Sequence, residues 1–96
     1  MNASELRKVA KEAQENSYVK SRNETVYRID KRIKSCAEVG KTKFVLSYNK
    51  YTENQYYNIQ CFYIDKRIFK ELKKYYKERG FGFRRNFFNK DIYITW

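Results

Sequence analysis

The chain has 96 residues, with 22 Lys or Arg against 11 Asp or Glu, no His, no Pro and a formal net charge of +11. That length supports a single domain over 1–96 with a modest core, and a hydrophobic content of 42% that includes seven Phe, ten Tyr and one Trp is too rich for a disordered tail. Two Cys without any His exclude the common four-ligand zinc sites, and no apolar run reaches the length of a membrane span.

Asn2 with Glu5 three positions on reads as an N-cap, and Leu6, Val9, Ala10 and Ala13 then recur at helical spacing, which predicts a helix over 3–15. Residues 16–24 are polar with little periodicity and read as a loop or a frayed helical link. A second helix over 25–39 places Val26, Ile29, Ile33, Cys36 and Ala37 on one face and Arg28, Lys31, Arg32 and Lys34 away from it. Gly40 is where a left-handed stop is wanted.

KFVLSY, 43–48, alternates as a strand does, and YYNIQCFYI, 56–64, reads as its partner across the polar turn NKYTENQ or, since both of its faces carry apolar residues, as a packed loop. Asp65 then caps a helix that ends at Gly80. Ile68, Phe69, Leu72, Tyr75 and Tyr76 form its apolar arc. Two short strands follow, 81–87 and 91–96, joined by a turn at Asn89 and Lys90. The expected fold is α+β in the order α-α-β-β-α-β-β, an antiparallel or mixed sheet with helices on one face.

RGFGF, 79–83, fits the opening of the strand on which RNA-recognition domains stack bases, with Phe81 and Phe83 at the required spacing. The fit ends there. Arg84 stands where that strand wants an aliphatic residue, Asn86 where it wants an aromatic, and Phe87 is one residue out of register. Too little chain follows for the remaining helix and strand of such a domain. A capped helix end running into an aromatic strand explains the same letters.

The cations are spread evenly, 11 basic and 6 acidic residues in 1–48 and 11 and 5 in 49–96. Such a chain is drawn to polyanions, nucleic acid above all, or to an acidic protein surface. On the third predicted helix Lys66, Lys70, Lys73 and Lys77 fall within about 60° of one another, opposite the apolar arc. Arg67 and Lys74 widen that stripe, while Glu71 and Glu78 edge it. Arg84 and Arg85 leave opposite faces of a strand. Lys50 and Tyr51 lie in a tyrosine-rich loop, a mixture that suits single strands because bases stack on rings while cations hold phosphates.

No paired catalytic carboxylates, P-loop, nucleophile elbow or metal-ligand spacing is present, so no enzyme, cofactor or metal is expected. Cys36 and Cys61 are expected as buried reduced thiols, with a disulfide left open. MNASELRKVAKEAQ carries no apolar signal segment, which points to an intracellular chain.

SELRKVAKEA, CAEVGKTKFVLSY, LKKYYKERGF and DIYITW together resemble small proteins of tailed phages. Those share an ELRK-type first helix, a helix closed by Gly before a strand, a Lys-rich helix ending in Gly-Phe or Gly-Tyr, and a final Ile-x-Trp. The resemblance implies an α+β fold, a viral origin, a place in the host cytoplasm or the virion, and no catalytic residues. Two other functions stay open beside polyanion binding. One is a protein-interaction module, self-assembling or not, acting as a virion component or as an inhibitor of a host defence protein. The other is a pocket for a small anionic nucleotide.

Overall fold

Asn2 and Glu5 close a reciprocal cap: the Glu5 amide donates to Asn2 Oδ1 at 2.9 Å and the Asn2 amide to Glu5 Oε2 at 3.4 Å. From this cap, helix α1 runs over Ala3–Glu38. Strand β1 (Lys43–Leu46), helix α2 (Lys66–Glu78), strand β2 (Gly82–Arg85) and strand β3 (Ile92–Thr95) follow. The computed structural model describes residues 1–52, 55–59 and 64–96. The α+β class is as expected, but the element order is α-β-α-β-β.

Both helices end as their glycines require. Gly40 at φ +84° and Gly80 at φ +87° occupy the left-handed region. The amides of Gly40 and Lys41 return to the carbonyls of Ala37 and Cys36, and those of Gly80 and Phe81 return to Lys77 and Tyr76. This is the Schellman pattern, and the Phe81 ring seals the second copy by packing edge-on against Tyr76 at 5.6 Å.

The described strands form one antiparallel sheet in the order β1-β3-β2, so the C-terminal strand is the central one. Its register sets two faces. Phe44, Ile94 and Phe83 form one inner row, and Leu46, Ile92 and Arg85 the next; Val45, Tyr93 and Arg84 stand on the other side. Ile29 and Ile33 of α1 and Ile68, Leu72 and Tyr76 of α2 close over the inner rows as one core. Each such buried side chain contributes roughly 1.5–3 kcal/mol. At the sheet end Gly82 faces Thr95 so closely that a Cβ would lie 2.2 Å from Thr95 Oγ1, which accounts for the glycine there.

The expected loop over 16–24 is helical, and the two expected helices are one. No Gly or Pro interrupts these residues, and their side chains find partners on α2. Tyr18 donates to Glu71, Arg22 pairs with Glu71 at 3.4 Å, and Glu15 pairs with Arg67 at 2.8 Å. Tertiary contacts thus supply what periodicity did not. At 100° per residue, Leu6, Val9, Ala10 and Ala13 point to nearly the opposite side from Ile29 and Ile33. Every residue from 1 to 17 is exposed, so the start of α1 is a free arm.

The expected strand over 56–64 is not built as a strand in its described part, 56–59, and 60–63 lie outside the described residues. Tyr56 makes an isolated bridge to Tyr48. Beyond it, the Asn58 side chain imitates a strand: its Oδ1 accepts from the Ser47 amide at 3.1 Å and its Nδ2 donates to the Val45 carbonyl. An amide side chain thereby occupies part of the β1 edge that a neighbouring strand would otherwise fill. The last two strands are shorter than expected, and the connection between them is a four-residue loop, 87–90. It is closed by the Asn86 amide donating to the Asp91 carbonyl at 2.7 Å, with Lys90 at φ +61°.

Candidate polyanion-binding surface

Lys66, Lys70, Lys73 and Lys77 are all exposed on α2. The ion pairs among the described residues are Arg22–Glu71 and Arg67–Glu15, so none of these four ammonium groups has a carboxylate partner there. α2 forms this ridge because its apolar arc is fixed against β2, where Phe69 lies 5.5 Å from Phe83 and Tyr76 stacks on Phe83 at 5.8 Å. The four lysines line none of the described grooves.

Arg67, expected to widen the stripe, is turned to α1 instead. Its two terminal nitrogens donate to Glu15 at 2.8 and 3.2 Å, and its guanidinium lies 3.5 Å from the Tyr18 ring centroid. The hydrogen bond from Arg67 lowers the Glu15 carboxyl below its ordinary value and raises Arg67 in return. Glu71, expected at the edge of the stripe, also faces α1. The hydrogen bond from Tyr18 and then that from Arg22 hold its carboxyl low, while burial and the same bond push the Tyr18 hydroxyl up to about 12.

Lys74 lines a groove between the helices together with Arg22, Arg79, Glu71 and Glu78, so the charge there is mixed. Arg84 and Arg85 part as expected. Arg84 is exposed on the outer sheet face, 5.7 Å from the Tyr93 centroid. Arg85 lies on the inner row, half-buried, 4.3 Å from the Phe69 centroid and donating to the Tyr56 hydroxyl at 3.3 Å. Its Nε is buried with no hydrogen-bond partner among the described residues. A guanidinium so enclosed is a poor phosphate ligand, and Arg85 drops out of the expected set. Lys50 and Tyr51 are exposed and paired with each other, Nζ 5.2 Å from the ring centroid.

Phe81 and Phe83, the pair with RNA-recognition spacing, present no stacking platform. Phe83 is buried in the core, and Phe81 is half-buried between Tyr76 and Trp96.

A second basic site escaped the sequence reading. Arg28, Lys31 and Arg32 line one groove of about 440 Å³ on the flank of α1 away from α2, with Tyr27, Ser35 and Ile59. Arg28 donates to the Ile59 carbonyl at 3.4 Å, and Lys31 Nζ lies 5.6 Å from the Tyr27 centroid. Among the described residues no carboxylate lines it, because Asp30 points to the other flank and accepts from Tyr75 and Tyr76. The spacing i, i+3, i+4 of these cations was readable as one helical flank. Their meeting with residue 59 was not.

Among the described residues no group of three or more Cys, Asp or Glu is placed to hold a metal ion, and no helix is long and apolar enough to cross a membrane. No protein-family model, curated protein or solved structure matches this chain.

Proposed function

We propose that this protein is a non-enzymatic basic module, encoded by a phage, that binds a polyanion, with nucleic acid the foremost partner. The observation that carries the reading is the α1 groove, where Arg28, Lys31 and Arg32 line the wall with Ser35 and, among the described residues, no carboxylate joins them. Cations held near one another attract anions, and two guanidinium forks offer bidentate geometry to phosphate oxygens. The exposed lysines of α2, without a carboxylate partner among the described residues, add a second, more diffuse source of positive potential on another flank.

Binding of this kind displaces counterions from the nucleic acid, so affinity falls as salt rises. About four phosphate contacts give a log–log salt slope of roughly −3 to −4. A filter-binding titration from low to moderate salt tests this, and a flat response removes the reading.

A second reading, protein interaction, rests on a different feature. Leu6 and Val9 are exposed on the free arm of α1 and point away from the core. Light scattering behind size exclusion would register self-assembly, and replacing both residues by Glu would abolish it if the arm is the contact.

A further inference from the structure

We propose that the aromatic end of the sheet, formed by loop 87–90 with residues 48–52 and 55–57, stacks the bases of a single-stranded nucleic acid. The inference rests on the polyanion reading above and narrows it to one substrate class.

Phe87 and Phe88 are 89% and 91% exposed, and Tyr51 and Tyr57 are 81% and 61% exposed. Apolar rings so placed are unusual on a chain with a well-filled core. They are not held out by slack in the chain. Asn86 Oδ1 accepts from the amides of Phe88 at 2.8 Å and Asn89 at 3.2 Å, and Asn89 Oδ1 accepts from the Asp91 amide at 2.9 Å. These bonds fix the turn, and the two Phe rings meet edge to face at 5.5 Å with nothing from the core against them.

The second loop is tied to the first. The Tyr48 amide donates to Asp91 Oδ1 at 2.8 Å, and the Tyr56 hydroxyl to the Lys90 carbonyl at 3.2 Å. Asn49 Oδ1 in turn accepts from the Tyr51 amide at 3.0 Å and the Tyr57 hydroxyl at 3.1 Å. Each loop carries an ammonium group beside a ring, Lys50 at 5.2 Å from Tyr51 and Lys90 at 5.3 Å from Tyr48. The carboxylate of Asp91, next to the first loop, is occupied by the Tyr48 amide. The first turn of α2 lies at this end as well, since Phe69 packs on Arg85, so Lys66 and Lys70 stand on the helix that borders it.

Rings alternating with cations match the alternation of base and phosphate along an unpaired strand. A duplex hides the faces of its bases and would meet only the cations. A lipid surface wants a contiguous apolar tip, which Asn49, Asn86 and Asn89 interrupt here.

The test compares four probes by fluorescence anisotropy: a thymidine homopolymer, an abasic strand of equal length, a duplex, and vesicles of phosphatidylcholine with phosphatidylserine. A strand carrying aminopurine reports stacking directly through quenching. The expected result is at least 10-fold preference for the base-bearing strand and quenching of aminopurine. In F87A/F88A both are lost, with roughly 5- to 100-fold weaker binding to that strand. The melting temperature should not move, because both rings are exposed. Equal, salt-sensitive binding to base-bearing strand, abasic strand and duplex would overturn this inference and leave the polyanion reading standing. Binding to none of the nucleic acids would overturn both. Vesicle binding that F87A/F88A abolishes, without base dependence, would make the tip a lipid anchor and sink the inference.

Discussion

The Tyr76 hydroxyl donates to Asp30 at 2.7 Å, joining the last turns of α2 to the C-terminal third of α1. Tyr76 is fully buried, its ring stacked on Phe83, while Asp30 sits at the surface end of the bond. The sheet, α2 and α1 therefore meet in one side chain. Tyr76→Phe keeps the ring and removes the bond. The expected loss is about 1–1.5 kcal/mol, at the low end for a bond to a charged group because Asp30 is exposed. Urea denaturation followed by circular dichroism measures it. An unchanged midpoint would show that the helix pair is held by packing alone.

Burial, and then the bond to Asp30, raise the Tyr76 hydroxyl far above its ordinary value. A group raised on folding stabilises the native state below its unfolded value, near 10, and that contribution is lost as pH climbs through the folded value. Tyr18 follows the same sign, its contribution being lost as pH climbs from 10 to about 12. Alkaline titration read by tyrosinate absorbance should thus show two phases. In the later phase Tyr76 ionises only together with unfolding.

At the acid end the sign reverses. Glu15 and Glu71 are lowered from 4.5, so their contribution is present above that value and is lost as pH falls through their folded values. The melting temperature should drop as pH falls below 4.5. Glu71→Gln should flatten that limb, since it abolishes the charge that accepts from Tyr18 and Arg22. A variant with the same acid limb as the parent would assign the drop to other carboxylates.

The two basic sets separate by their salt slopes. Neutralising Arg28, Lys31 and Arg32 to Gln should reduce the slope by up to about 0.9 per lost phosphate contact, and neutralising Lys66, Lys70, Lys73 and Lys77 should act independently. Arg67→Gln is the internal control. That guanidinium already serves Glu15 and Tyr18, so its loss should lower stability and leave the slope nearly unchanged.

Gly80→Ala tests the closure of α2. At φ +87° a Cβ meets no atom, so the cost is conformational alone, about 1–2 kcal/mol. Gly40→Ala, at φ +84° and also in open space, should cost the same. Chemical denaturation of both variants checks the pair.

Local chemistry was legible in the chain wherever it is local in cause. Asn2 with Glu5 announced the first cap, Gly40 and Gly80 the helix stops, and the arc from Ile68 to Tyr76 the buried face of α2, since each depends on neighbours within a turn or two. The same holds for the lysine ridge, whose members share a side of the helix by spacing alone. Residues 16–24 could not be told between a loop and a frayed helical link because what holds them helical is distant: Glu71 accepts from Tyr18 and Arg22, and Arg67 covers the Tyr18 ring, some fifty positions along the chain.

Sequence by itself thus determined the kind of object: a basic α+β chain with two glycine-stopped helices and an apolar arc on each to bury. Only the tertiary structure decided which cations are free. Arg67 and Arg85 share the charge and character of their neighbours, yet one is paired across helices and the other is drawn beneath Phe69. Arg28, Lys31 and Arg32 became a groove only when Ile59 was brought beside them. The physical reason is that charge is a property of a residue, whereas an unpaired charge at a concave surface is a property of everything folded around it.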